Sequence, residues 1–400
     1  MSYSISSLDN KNFEWFSKNP NCKSLKSIEV SYGKIRQIQS IEIDFKYPIT
    51  AIAGKNGSGK STLLAIIACA YHNKQNGYNP YKGKNTYYTF KDFFIETQTD
   101  TPMDDHILIR YGIYYNKWRQ NKSDQNQERI GFQSRKRSYK KWNDYSTRIS
   151  RNVVFISTDR IAPKYMTSIG RNHKKLLETN TGNSEAIINS VSNIMGRSFQ
   201  DLKRREYSKH RITQIRHNNT TYSSFNMGAG EDSLFEIMHV LHNCPNETLI
   251  LIDEIELGLH EEAQSRLLNE LKNICQKKCL QIIFTTHSSC VMNALPPEGR
   301  LFIESNDQAV KIISEISTKF ATGKLSGKAD HELSIYTEDD ICETALIRGL
   351  DNELVRRSKI LPIGSALAVV RHASEMLKED ANRKFICLID GDKKQNAKGL

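Results

Sequence analysis

No apolar run in this 400-residue chain approaches the ~20 residues needed to span a bilayer. Its opening stretch, MSYSISSLDNKNFEWF, lacks the basic-then-apolar order of a secretion signal. These absences predict a soluble, cytoplasmic protein with no membrane partner. Cysteine occurs eight times, yet the close pair Cys275 and Cys279 has neither a second pair nor a neighbouring histidine. A zinc site therefore lacks its ligand set, and reduced, mostly buried thiols are expected. There is no internal repeat of convincing length, and no heptad pattern continues far enough for a long coiled coil. What is present, 38% hydrophobic content over this length, suffices for one large core and a smaller appendage.

Charge is the first positive signal. The chain carries a net +12, but residues 110–217 hold 24 Lys and Arg against 8 Asp and Glu, so that segment is +16 and the remainder −4. Within it, Arg135-Lys136-Arg137 runs into Tyr139, Lys140, Lys141, Trp142 and Tyr145, and Lys203-Arg204-Arg205 is followed by Lys209 and Arg211. Cations mixed with aromatics suit phosphate contact and base stacking, so nucleic acid or nucleoprotein is the favoured partner. A solvated face or an acidic protein partner is the alternative.

Residues 54–61 read Gly54-Lys55-Asn56-Gly57-Ser58-Gly59-Lys60-Ser61, a complete G-x-x-x-x-G-K-[ST] loop. It lies between an apolar run, Ile49 to Ala53, and a helix-forming run, Thr62 to Ala70. A strand that delivers the loop and a helix that receives phosphates on its free N–H groups make an ATP site. Asn56, Gly57 and Gly59 let the backbone curl around an anion, Lys60 reaches the β- and γ-phosphates, and Ser61 ligates magnesium.

A second buried run, Leu249 to Ile252, ends in Asp253 and Glu254, and a third, Gln281 to Phe284, leads into Thr285-Thr286-His287-Ser288. Both read as central strands of a parallel sheet, whose C-terminal edge binds ligands. Asp253 is assigned to the magnesium shell and Glu254 to the general base. Ahead of the loop, Ile28, Val30, Ile35, Ile38, Ile41, Ile43 and Phe45 alternate as in a β-hairpin. Strand-like runs at Ile107 to Tyr115 and Val153 to Ser157 flank a polar, basic stretch with no clear period. An amphipathic helix is expected from Glu185 to Leu202. The Asp159-Arg160 pair either shapes a basic site or forms a salt-bridged loop. Phe225 to Glu231, with Gly228 and Gly230, opens an apolar-periodic segment, Leu234 to Leu241, as a Gly-rich helix start with free N–H groups.

Taken in order, these motifs resemble an ABC-type ATPase head of the SMC and RecF kind. The resemblance implies an α/β fold, a mixed but largely parallel sheet with helices and an antiparallel β subdomain. It also implies a homodimer or higher homo-oligomer that sandwiches ATP. Lys55, Ser58 and Thr62 would line the nucleotide with the rest of the loop. Gly230 and Glu231 would contact the nucleotide held by the second subunit, and His287 would sense the γ-phosphate beside Lys60 and Glu254. Gly228 stands where this family has a serine, and Gln98 is the candidate for its magnesium-site glutamine.

Beyond residue 330, Leu333 to Thr337 reads as a strand ending at Glu338 and Asp339, followed by a helical run from Ile341 to Leu350. Ile360 to Gly364 and Phe385 to Ile389 read as further strands, the last ending in Asp390-Gly391-Asp392. Glu338, Asp390 and Asp392 can converge at a sheet edge to bind one or two magnesium ions, or can be solvated acids. This segment is similar to a TOPRIM domain, apparently incomplete because Leu400 follows Asp392 by eight residues.

A head over 1–325, with a basic insertion at about 110–217, then a TOPRIM-like segment over 330–400, resembles the OLD (overcoming lysogenization defect) family and the ATPases of the Gabija, Septu and PARIS antiphage systems. The expected function is an ATPase that dimerises on ATP and couples closure to nucleic-acid-related control in antiphage defence. An ATP-gated, metal-dependent DNA endonuclease and an ATP-regulated scaffold holding a toxin or nuclease are the alternatives.

Overall fold

A computed structural model describes residues 3–73, 77–82, 86–115, 130–139, 141–145, 148–161, 176–207, 210–305, 310–326, 331–379 and 384–390. The chain divides into two compact units, Ser4–Glu315 and a smaller one from Ile316 onward. Among the described residues no helix is long and apolar enough to cross a membrane. All eight cysteines are free, four of them buried.

The first unit opens with helix α1 (Ser7–Lys18), started by a capping box between Ser6 and Asp9. Strands β1 (Ser24–Tyr32) and β2 (Ile41–Asp44) form the expected antiparallel pair, with Ile28, Val30, Ile41 and Ile43 turned to the core. Strand β3 (Ile49–Gly54) is buried at every residue and delivers the Gly-rich loop to α2 (Lys60–Ala68). A short helix, α3 (Phe90–Phe93), precedes β4 (Ile107–Tyr114), which pairs with β1 on one side and with β5 (Ile130–Ser138) on the other. Strand β6 (Lys141–Trp142) closes this sheet, whose order is β2-β1-β4-β5-β6.

Strand β5 is the element that periodicity missed. Its buried positions are Arg135 and Arg137, while Phe132, Ser134 and Lys136 are exposed. Arginines occupy the inward places of an alternating strand, so a hydrophobicity pattern has nothing to register. The inward guanidiniums are accommodated by stacking and pairing. Arg135 lies 3.6 Å over the Tyr145 ring, and Arg137 pairs with Glu96 at 3.0 Å.

Strand β7 (Val153–Ile156) begins the parallel layer. After β8 (Leu177–Thr179), helix α4 (Ser184–Met195) stops at Gly196 in the left-handed region, φ 65°, rather than running to Leu202. A left-handed C-cap glycine ends the helical ladder, and Phe199 returns to the core just before β9 (Gln200–Tyr207). Strands β9, β10 (His210–His217) and β11 (Thr220–Ser223) complete a four-stranded antiparallel sheet of order β11-β10-β9-β8. Helix α5 (Ala229–Asn243), strand β12 (Leu249–Ile252), helix α6 (Glu261–Lys278), strand β13 (Gln281–Thr286) and helix α7 (Ser289–Asn293) follow, then β14 (Arg300–Ser305) and β15 (Val310–Ser314).

The six-stranded layer has the order β15-β14-β3-β13-β12-β7, parallel except for the β14/β15 pair. Register aligns the strand ends: Ile252 pairs with both Ile156 and Phe284, and Thr286 pairs with Ala53. The loops after β3, β7, β12 and β13 therefore leave from one edge, where ligands of parallel sheets bind.

In the second unit, α8 (Thr318–Ser326) precedes β16 (Leu333–Thr337), the centre of a parallel sheet of order β17-β16-β18. Around it run α9 (Asp340–Gly349), α10 (Asn352–Arg357), β17 (Ser358–Pro362), α11 (Ala366–Glu379) and β18 (Phe385–Cys387). Its core is small: Tyr336, Val369 and Ala373, with Leu361, Met376 and Phe385 packed against them.

Candidate active site

The loop between β3 and α2 owes its shape to left-handed glycines. Gly57 has φ 75° and Gly59 φ 100°, and a Cβ on Gly59 would lie 2.8 Å from Ile38 Cδ1. Side chains disfavour both dihedrals, so these positions need glycine. Gly59 also caps α2 without any side-chain hydrogen bond, leaving the helix N-terminus open to an anion. Among the described residues the buried Ser58 hydroxyl has no hydrogen-bond partner, so it can serve an anion in the loop.

Lys60, 7% exposed, arches back and donates from Nζ to the carbonyls of Gly54 and Lys55, each at 2.9 Å. Burial lowers its pKa below the usual lysine value, opposed by the charges of Glu254, Asp253 and Glu256. Three carboxylates facing one buried ammonium form a site made for balancing charge.

Across the edge, Ser61 Oγ donates to Asp253 Oδ1 at 3.1 Å, and the same oxygen accepts from Thr285 Oγ1 at 2.6 Å. Thr285 Oγ1 in turn accepts from the Glu254 N–H at 2.7 Å. One threonine on β13 thus fixes both acids after β12. A hydroxyl and a carboxylate oxygen side by side at a phosphate loop are the hard-oxygen donors magnesium takes, and the uncapped helix suits a triphosphate. The residues present fit both groups.

Glu254 itself has φ 50°, a left-handed backbone that costs a non-glycine residue free energy and is found where surroundings over-determine it. His287 lies beyond the end of β13, its N–H donating to Glu256 Oε1. Burial and then the Lys60 charge lower its pKa, against the opposing pull of Glu256, Glu254 and Asp253, which favours the neutral ring.

The Gly-rich segment before α5 is a helix start with Gly228 as an uncapped N-cap. Gly230 is sterically obligatory: a Cβ there would lie 1.9 Å from the Gly258 carbonyl oxygen, in the turn just after Glu254. Glu231 accepts from the Tyr222 hydroxyl at 2.8 Å. Gln98 is exposed, in a turn where the Thr97 N–H donates to Asp100.

Sequence left a basic site or a salt-bridged loop open for Asp159-Arg160, and the geometry turns Arg160 to the main chain of the acids after β12. Asp159 accepts from Ser157, while Arg160, 6% exposed, donates to the carbonyls of Asp253 and Glu254 at 2.7 and 2.6 Å. Only its position after a buried strand hinted at this; backbone carbonyl acceptors leave no residue-type signal.

Elsewhere the basic segment is partly internal. Arg135, Arg137 and Arg204 are 1–3% exposed, and Arg204 pairs with Glu236 at 2.8 Å. Lys136, Lys141 and Lys203 are exposed, as is Tyr139 at 78%; Lys140 and Lys209 lie outside the described residues. In the second unit, Glu338 follows β16 and accepts from the Asp390 N–H at 2.9 Å, because β16 and β18 are parallel neighbours. Asp339 caps α9, and Asp392 lies outside the described residues. Among the described residues no group of three or more His, Cys, Asp or Glu is placed to hold a metal ion.

A family model described as "AAA domain, putative AbiEii toxin, Type IV TA system" matches residues 102–293, a stretch holding Gly228 to Glu231, Asp253, Glu254 and His287 but beginning after the phosphate loop. No curated protein matches the chain. Similar solved structures include the SMC head domain from Thermotoga maritima, 15% identical over 72% of this chain and 98% of that one, TM-score 0.42. An SMC head bound to the C-winged helix domain of ScpA is 17% identical over 72% and 97%, TM-score 0.45. An SMC head with an extended coiled coil bound to the C-terminal domain of ScpA, from Pyrococcus furiosus, is 12% identical over 76% and 98%, TM-score 0.43. The family match supports a P-loop ATPase domain that binds and hydrolyses ATP.

Proposed function

We propose that the protein is an ABC/SMC-like ATPase head, in its first unit, that dimerises on ATP and couples hydrolysis to nucleic-acid-linked control, in the setting of antiphage defence. The observation that carries the ATPase reading is the meeting of Ser61, Asp253 and Thr285 beside Lys60 and Glu254 at one sheet edge. ATP would lie with its phosphates against the N-terminus of α2. Lys60 would exchange the Gly54 and Lys55 carbonyls for the β- and γ-phosphate oxygens, keeping its charge beside Glu254 and Asp253. Ser61 and Asp253 would hold magnesium, which supplies charge neutralisation on the phosphates.

Glu254 would take a proton from water as the water oxygen bonds to the γ-phosphorus and the bond to the bridging oxygen of ADP breaks. Neutral His287 would hydrogen-bond the γ-phosphate. Phosphate release by Glu254→Gln should fall by roughly 10²-fold or more against wild type while ATP still binds. Turnover at the wild-type rate would refute the assignment.

The net +16 of residues 110–217, with Lys136, Lys141 and Tyr139 exposed, supports nucleic-acid contact. The order of head and TOPRIM-like segment supports the defence setting. A second reading, an ATP-gated metal-dependent endonuclease, is favoured by the Asp390 N–H to Glu338 contact at adjacent strand ends. Nicking of supercoiled plasmid that disappears in Asp390→Ala would support it, and no nicking in magnesium or manganese would eliminate it.

A further inference from the structure

Arg160 sits in the turn Thr158–Ile161, immediately after β7. Its guanidinium donates from Nη1 to the carbonyls of Ser157 (2.9 Å) and Asp253 (2.7 Å), and from Nη2 to the carbonyl of Glu254 (2.6 Å). From Nε it donates to Ser233 Oγ at 2.8 Å, in the second turn of α5. A planar fork of fixed geometry serves four acceptors at once, which a single ammonium on a flexible stem does not. The site joined in this way is the strained one: Glu254 has φ 50°, its N–H is held by Thr285 Oγ1, and the next N–H, of Ile255, by the Thr285 carbonyl at 3.1 Å. One turn of helix away from Ser233, Gly230 packs backbone to backbone on Gly258, in the turn after Glu254. Helix α5 therefore meets the segment that bears the general base at two points, one through a side chain and one through the main chain.

We infer that Arg160 is a positioning residue that ties the backbone of Glu254 to α5, so that movement of the Gly-rich helix start is passed to the general base. This regulation rests on the ATPase reading above. It does not require Arg160 to touch nucleotide, since four of its five N–H groups donate to main-chain carbonyls and Ser233. When α5 shifts, Ser233 draws the guanidinium, and the guanidinium draws the Glu254 carbonyl. The carboxylate then enters or leaves the position from which it can take a proton from water. Ordinary structural support would make Arg160 matter equally for binding and for turnover; positioning confines the effect to turnover.

The test is Mg-ATP affinity by calorimetry alongside single-turnover hydrolysis, for wild type, Arg160→Lys, Ser233→Ala and the double variant. Affinity is expected within about threefold of wild type throughout, while hydrolysis falls roughly 100-fold in Arg160→Lys and about fivefold in Ser233→Ala. The double variant should be no slower than Arg160→Lys, because both substitutions cut one path. Hydrolysis by Arg160→Lys within about twofold of wild type would overturn the inference, as would affinity and rate falling together. Should Arg160→Lys fail to fold, Ser233→Ala, which deletes one hydroxyl, decides: an unchanged rate refutes the coupling. A wild type that binds no ATP sinks the ATPase reading itself, whereas indifferent variants of an active wild type sink the coupling alone.

Discussion

Gly230→Ala offers a sharp perturbation because the clash it creates is between main chains. The new Cβ would sit 1.9 Å from the Gly258 oxygen and 2.5 Å from its carbonyl carbon, where 3.0 Å is the closest approach real Cβ atoms make. The two backbones must therefore part by about 1 Å, and no rotamer change can absorb it. Overpacking of this sort costs about 1–3 kcal/mol, and the upper end applies because both partners are backbone. Gly258 is itself left-handed, φ 77°, which limits how its turn can yield. The displacement falls beside Glu254, so hydrolysis should drop by roughly 10²-fold, the cost of a misplacement near 1 Å. Urea unfolding of the first unit and phosphate release, measured together, check both consequences. A variant as stable as wild type to within about 0.5 kcal/mol, with unimpaired turnover, would refute the contact and the argument built on it.

Replacing the exposed Lys136 and Lys141 with Ala should weaken nucleic-acid binding and reduce the slope of log affinity against log salt by about 2, whereas Arg137→Ala should destabilise the fold and leave the slope unchanged. An unchanged slope in the lysine variant would assign those residues to solubility or protein contacts. His239, in α5, has its pKa lowered to about 4, chiefly by burial and then by the Arg204 charge. The unfolded chain then takes up this proton first, so the stability it contributes is present above about 6.5 and is lost as pH falls toward 4. The loss amounts to about 3 kcal/mol. His239→Gln should flatten that limb of the pH–stability curve, and an unaltered limb would show that other groups produce it.

The phosphate loop, the acids after β12 and His287 were legible because each follows a buried strand, and a run such as LILI reads as apolar whatever surrounds it. The register that sets Ile252 opposite Phe284 and Thr286 opposite Ala53 follows from parallel pairing of those runs. What sequence hid was placed by polar residues in apolar roles. Arg135 and Arg137 face inward on β5, so a strand looked like a solvated basic stretch, and part of the presumed nucleic-acid face proved to be interior. The role of Arg160 left no mark in the sequence, because its partners are carbonyl oxygens that every residue carries. Gly196 ended α4 early for the same reason that glycine ends many helices, yet an apolar period continuing through Phe199 masked it.

The most direct trial of the account is calorimetry of Mg-ATP binding to the purified chain and to Lys60→Ala. The account predicts magnesium-dependent uptake by wild type and affinity weaker by roughly 10- to 100-fold without the Lys60 ammonium, the worth of a hydrogen bond to a charged group. No uptake by folded wild type, or equal binding by the variant, would contradict it.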